Sequence, residues 1–156
     1  MTLTFRHYVL IAAGGSLALL AGAFVFQALG YAPCKLCYWQ RYPHAVAIAI
    51  GLVALAVPRR FLAWLGAIAA ATTGAIGIYH SGVERMLWEG PSSCTGGSTS
   101  GLSTDQLLDQ IMTAPLIRCD EIPWEMFGVT MANLNAVFSL GLAVIWVLAA
   151  RRLARG

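Results

Sequence analysis

Residues Val9 to Leu29 read VLIAAGGSLALLAGAFVFQAL, 21 positions without an acid or a base. A helix needs about 20 mostly apolar residues to cross the hydrocarbon core of a bilayer. This stretch therefore reads as a membrane span. Its apolar part exceeds the roughly 7–15 residues of a signal-peptide h-region, and Phe24-Val25-Phe26-Gln27 is a poor lead-in to a cleavage site. Three further runs follow: Pro43 to Val57, extended to Tyr38 by a polar first turn; Phe61 to Gly82; and Val129 to Ala150. In lipid every backbone polar group must be satisfied internally, which for runs of this length means helices. The predicted fold is an all-α four-helix transmembrane bundle with spans at about 9–29, 38–57, 61–82 and 129–150. It forms a single integral membrane domain over residues 1–156.

Composition agrees. Of the residues, 58% are hydrophobic and 11% are Asp, Glu, Lys or Arg, less than half the charge of a soluble domain at about 25%. So few charges cannot cover a water-facing surface, and the apolar content excludes a disordered linker. A net charge of +3, carried by scattered arginines, makes no phosphate-tracking patch, so nucleic acid is excluded as a partner. Arg6, Arg59, Arg60, Arg151, Arg152 and Arg155 fall on one side of the predicted spans. All seven acids fall on the other, with Lys35, Arg41, Arg85 and Arg118. The positive-inside rule then puts both termini and the Arg59-Arg60 turn in the cytoplasm.

Gly14, Ala18 and Gly22 share one face of the first span, and Gly66, Ala70 and Gly74 one face of the third. That spacing permits close helix approach in lipid. Tyr31, Tyr38, Trp39, Tyr42, Tyr79, Trp88 and Trp124 gather at the outer ends, Trp64 and Trp146 nearer the inner ends, as an interfacial aromatic belt does. The one long outer loop runs from about 83 to 128. Its Ser92–Gly101 stretch, SSCTGGSTSG, has no large apolar anchor and is expected to be mobile. Ser103 with Gln106 makes a capping box opening a short amphipathic helix. There Leu107, Leu108, Ile111 and Met112 share a face, which lies flat in the interface or packs on the rest of the loop.

Four cysteines fall in two pairs. Cys34 and Cys37 form a Cys-Lys-Leu-Cys at the start of the second span, and Cys94 and Cys119 lie in the long loop. All four are outside by the charge argument, and in a bacterial inner membrane that side is oxidising. A C-x-x-C ring is too small to constrain the unfolded chain much, so thiol–disulfide exchange is its expected use. Purely structural disulfides are one rival; a four-thiolate zinc site is another, weakened because Cys94 and Cys119 supply no second C-x-x-C. A helix N-terminus with Lys35 and Arg41 nearby favours a thiolate at Cys37 and depresses its pKa, and a low-pKa pair is an oxidising one. Arg41 follows Cys37 by four residues, hence on the same helix face. Its bland role is a headgroup anchor; its functional role is to attract the oxygen of a lipid-soluble two-electron acceptor, for which a quinone fits.

Cys34-Lys35-Leu36-Cys37-Tyr38-Trp39-Gln40-Arg41 resembles the C-x-L-C-x-x-x-R signature of the DsbB family. The likeness extends to the four spans, the short first and long second outer loops, and the stretches Glu84–Cys94 and Cys119–Asn135. It implies a thiol oxidoreductase of the bacterial inner membrane. Such a protein reoxidises a periplasmic thioredoxin-fold dithiol oxidase, DsbA, and passes the electrons to ubiquinone or menaquinone. Carried over, Cys37 is the cysteine beside the quinone and Cys34 the one exchanging with the loop. Cys94 meets the partner, Cys119 resolves, and Arg41 belongs to the quinone site. Aligning Glu84 places Arg85 where some members carry a quinone-site histidine; His80, one turn earlier, is the alternative candidate. His7 and His44 make no convincing haem pair with His80, and Asn133 and Asn135 are assigned a structural role across helices. A reductive relay of the vitamin K epoxide reductase type differs in placing its C-x-x-C on a late span. A membrane scaffold with bracing disulfides is the non-enzymatic rival. In the resting oxidised protein the relay predicts the bonds Cys34–Cys37 and Cys94–Cys119. Non-reducing peptide mapping that finds mainly Cys34–Cys94 or Cys37–Cys119 refutes this pairing.

Overall fold

The computed structural model describes residues 3–95, 101, 103–113 and 117–154. Four long helices dominate: α1 (Phe5–Ala28), α2 (Lys35–Ala56), α3 (Arg60–Glu84) and α5 (Met131–Leu153); α4 (Thr104–Thr113) is short. The long helices close a ring in which α1 touches α2 and α5, and α3 touches α2 and α5. Three of them, α1, α3 and α5, are long and apolar enough to cross a membrane. The exception, α2, carries Lys35, Gln40, Arg41, Pro43 and His44 in its outer half, and two of these, Gln40 and His44, are buried in the bundle. The helix starts at Lys35, three residues before the predicted span, because Cys34 caps it: the Cys34 sulfur accepts the Cys37 amide at 3.2 Å.

The core sits at the arginine-rich end. Trp146 of α5 is fully buried among Val9, Ala12, Ala63, Ala67 and Ala70. The small residues of α3 make this possible: a Cβ on Gly66 would lie 2.5 Å from the Trp146 ring, and one on Gly77 would lie 3.0 Å from the α5 backbone. The matching stripe on α1 behaves otherwise. Gly14 and Gly22 have nothing within 4 Å of an added Cβ, and Ala18 and Gly22 line a cavity instead. That stripe spares room; it does not bring helices together. Leu10, Leu17, Leu52, Ile68, Val137 and Val144 are exposed on the outer faces of the helices, as a lipid-facing girdle must be.

At the other end, α3 closes with Met86 N–H on Val83 C=O and Leu87 N–H on Gly82 C=O. This is the Schellman pattern, with Met86 at φ 56° in the left-handed position usually given to glycine. The chain then folds back, stacking Trp88 on Tyr79 at 6.2 Å. A feature absent from the sequence reading precedes α5: a hairpin of β1 (Glu125–Met126) and β2 (Val129–Thr130), turned by Phe127 and Gly128, both at positive φ. The α4 capping box forms as expected, Ser103 N–H donating to Gln106 Oε1 at 2.9 Å. Leu108, Ile111 and Met112 of its apolar face are exposed. Half of the Ser92–Gly101 stretch, residues 96–100, lies outside the described residues.

Gly66→Ala pushes a methyl into the Trp146 ring and is expected to destabilise the bundle by about 1–3 kcal/mol. Gly14→Ala meets open space and gains helix propensity. Thermal unfolding in detergent should lower the midpoint for the first variant only; equal midpoints would contradict the packing described.

Candidate functional site

Both cysteine pairs meet at the end of the bundle away from the Arg59-Arg60 turn. Cys94 and Cys119 are disulfide-bonded. Cys34 and Cys37 are thiols, not the bonded pair expected at rest, with their sulfurs 2.8 Å apart. Cys34, Cys94 and Cys119 are all buried, packed with Leu36 and Val83, and Cys37 packs on that cluster. Cys94, which the resemblance makes the cysteine that meets the partner, is buried, at 1% exposure. Beside Cys119, Arg118 donates to Asp120 at 2.9 Å and lies 3.6 Å from Glu121. Hydrogen bonding to Cys37 and then burial push the Cys34 thiol well above its usual range.

A polar network surrounds the thiols, and two backbone carbonyls fix its proton directions. Gln40 Nε2 donates to Leu36 C=O at 3.2 Å, which leaves Gln40 Oε1 to accept from Asn135 Nδ2 at 2.7 Å. Asn135 Nδ2 also donates to Thr73 C=O at 3.2 Å, so its Oδ1 must accept, which it does from His44 Nε2 at 2.8 Å. Gln40 Nε2 further donates to His80 Nδ1 at 2.9 Å. Both histidines are therefore the Nε2–H tautomer. The His80 Nε2–H faces Cys34 Sγ at 3.5 Å, Glu84 Oε1 at 3.8 Å and the Cys119 backbone. Beside the Pro43 break, Thr73 donates to Gln40 C=O at 2.9 Å, the kind of repair that lets proline sit in a buried helix.

A cavity of about 340 Å³ opens beside this network. Leu19, Leu20, Phe26, Ile122, Met131 and Leu134 give it apolar walls, while Cys34, Cys37, Gln40, Arg41, His44, His80, Glu84 and Asn135 supply polar atoms. Arg41 is held by α1, donating to Gln27 Oε1 at 2.7 Å and Ala23 C=O at 3.2 Å, with Phe24 and Tyr38 against its guanidinium. The structure thus brings Cys34, Cys37, Arg41 and His80 to one cavity. Arg85 is not among the lining residues; it donates to Gly128 C=O and faces Asn133. Gln40, His44, Glu84 and Asn135 were missed as site residues. The available signal was their place on the inner faces: Gln40 and His44 stand three and seven residues after Cys37.

The chain matches the family model described as disulfide bond formation protein DsbB over residues 5–149, and it belongs to that family. It is similar to disulfide bond formation protein B 2 of Pseudomonas aeruginosa, 30% identical over 145 residues, covering 88% of this chain and 83% of that one. It is also similar to disulfide bond formation protein B of Shewanella sp. MR-4, 28% identical over 146 residues, covering 89% and 83%. No solved structure matches. As a family member the protein is an oxidoreductase of disulfide bond formation, quinone being the family's electron acceptor.

Glu84, buried at the mouth of this site, accepts from the Thr130 hydroxyl at 2.6 Å. The same hydroxyl caps α5, accepting from Asn133 N–H at 3.3 Å. Thr130→Val removes the cap and strips the carboxylate of its partner, so a loss of about 1–3 kcal/mol is expected, whereas Thr130→Ser retains most of the stability. Thermal unfolding of the two variants in detergent checks this, and an unperturbed valine variant would refute it.

Proposed function

We propose that this protein takes two electrons from a periplasmic DsbA-like dithiol at Cys94–Cys119 and passes them through Cys34–Cys37 to ubiquinone or menaquinone in the cavity. The observation that carries the reading is the packing of the loop disulfide directly on the C-x-x-C, whose Cys37 lines the cavity together with Arg41. The protein spans the bacterial inner membrane four times, α2 included, with both termini cytoplasmic and the cysteines periplasmic. The exposed apolar face of α4 rests on the lipid.

The electrons balance over two exchanges. The partner's dithiol becomes a disulfide as the Cys94–Cys119 bond opens to two thiols, Cys94 forming the mixed disulfide and Cys119 leaving. The loop pair then closes again as the Cys34–Cys37 bond is reduced. His80 Nε2–H, between Cys34 and the Cys119 backbone, holds the two stations together and offers a hydrogen bond to sulfur as charge builds there. Arg41, near Cys37, sets a fixed positive charge where the pair gives up its electrons.

The residues fit a quinone. The walls are apolar, a guanidinium stands at one side, and the His44 ring is buried with Nδ1 left without a hydrogen-bond partner. When bound, a quinone supplies a sink for two electrons and two protons.

Arg41→Lys tests the site. Lysine keeps the charge but cannot reproduce the fork that bonds Gln27 and Ala23 while facing the cavity. Losing an electrostatic contact of this kind costs about 10²–10³ in rate in enclosed oxyanion sites, and a half-exposed arginine should cost less. Steady-state titration is expected to give a higher quinone KM and slower turnover, while single-turnover exchange between Cys94–Cys119 and the dithiol partner stays unchanged. Unaltered quinone kinetics in a folded variant would return Arg41 to the role of a headgroup anchor.

A further inference from the structure

His44 is buried, at 3% exposure, and lines the cavity. Its Nε2–H is committed to Asn135 Oδ1 at 2.8 Å, and the Ser139 hydroxyl donates to that same oxygen at 3.2 Å. The tautomer cannot switch without cost, because Asn135 is held the other way round by Thr73 C=O and Gln40 Oε1. Nδ1 is consequently a bare lone pair, buried and without a partner. A buried acceptor left unsatisfied costs about 1–3 kcal/mol, and in lipid no bulk solvent relieves it. Such an atom is complementary to a hydroxyl donor and indifferent to a carbonyl, which has no hydrogen to give. Arg41, which also lines the cavity, only donates.

Resting on the reading of the cavity as a quinone site, we propose that His44 Nδ1 accepts a hydrogen bond from a hydroxyl of the reduced acceptor. The cavity is thereby selective for hydroquinone over quinone. Arg41 serves either redox form, since both offer it an oxygen lone pair; His44 serves only the form made by reduction. The preference pulls the final electron transfer forward and slows departure of the product.

The test uses purified full-length protein in detergent under anaerobic conditions, with equilibrium binding as the readout and no partner dithiol present. The probes are a decyl-substituted benzoquinone, its hydroquinone and the dimethyl ether of that hydroquinone. Cys37→Ser, which cannot exchange electrons with the probes, serves as the parent. The hydroquinone is expected to bind about fivefold to tenfold more tightly than the diether, the worth of one neutral hydrogen bond. His44→Gln keeps a donor for Asn135 and lacks the acceptor at the Nδ1 position. In that variant the hydroquinone preference should vanish while quinone affinity holds. His44→Leu serves as a second variant, and the diether comparison in the parent needs no substitution at His44. Equal binding of hydroquinone and diether in the parent, or a preference that survives in His44→Gln, overturns the assignment of His44 while leaving the quinone site standing. Failure of all three probes to bind, or binding unaffected by filling the cavity through Gly22→Phe, removes the cavity reading itself and the inference with it.

Discussion

The hydrogen bond from Asn135 to Gln40 joins α5 to α2 inside the bundle, and the orientation of the site follows from it. In a lipid-embedded protein no hydrophobic force distinguishes one helix rotation from another, so buried polar groups have to find each other or remain unsatisfied. Leu36 C=O and Thr73 C=O can only accept. By holding one amide each they dictate which end of Gln40 and of Asn135 meets its neighbour, and so where the protons lie on His80 and His44. The α2–α5 hydrogen bonds thereby tie the thiol pair to the wall of the neighbouring cavity.

Close packing and open space are divided between two helix pairs with similar sequences. On α3, glycine and alanine admit the Trp146 ring and the α5 backbone, and the arginine-rich end becomes solid. On α1, small residues at the same spacing face the cavity. The periodicity of small residues marks a face that differs from lipid-facing leucine and phenylalanine. It does not say whether a neighbour or a ligand fills the groove, since that depends on what the opposite helix presents. Opposite α3 stand Trp146 and Leu140; opposite the outer half of α1 stand Cys37, Arg41 and His44.

Four helices, the charge asymmetry, the α4 cap and the clustering of the cysteines were legible because each is local or rests on a period. The gathering of Cys34, Cys37 and Arg41 was legible through the C-x-x-C and its spacing to Arg41, whereas His80 entered only through the family resemblance, as the alternative to Arg85. Less visible was the network, because Gln40, His44 and Asn135 are unremarkable as residue types and acquire meaning only when α2, α3 and α5 are rotated against one another. The Phe127-Gly128 hairpin escaped because it is two residues wide and contains a phenylalanine at a position where asparagine or glycine is the usual signal. Burial of Cys94 escaped for a different reason: the segment around it looks unanchored in sequence, while Lys35 Nζ reaches Ser93 at 2.8 Å and the Cys119 amide bonds Cys94 C=O.

The enclosed loop disulfide has a kinetic meaning. With both of its sulfurs shut away, at 1% and 0% exposure, a small-molecule thiol in the surrounding fluid has nothing to strike. Stray reductants are rejected by geometry alone, whatever the driving force available to them.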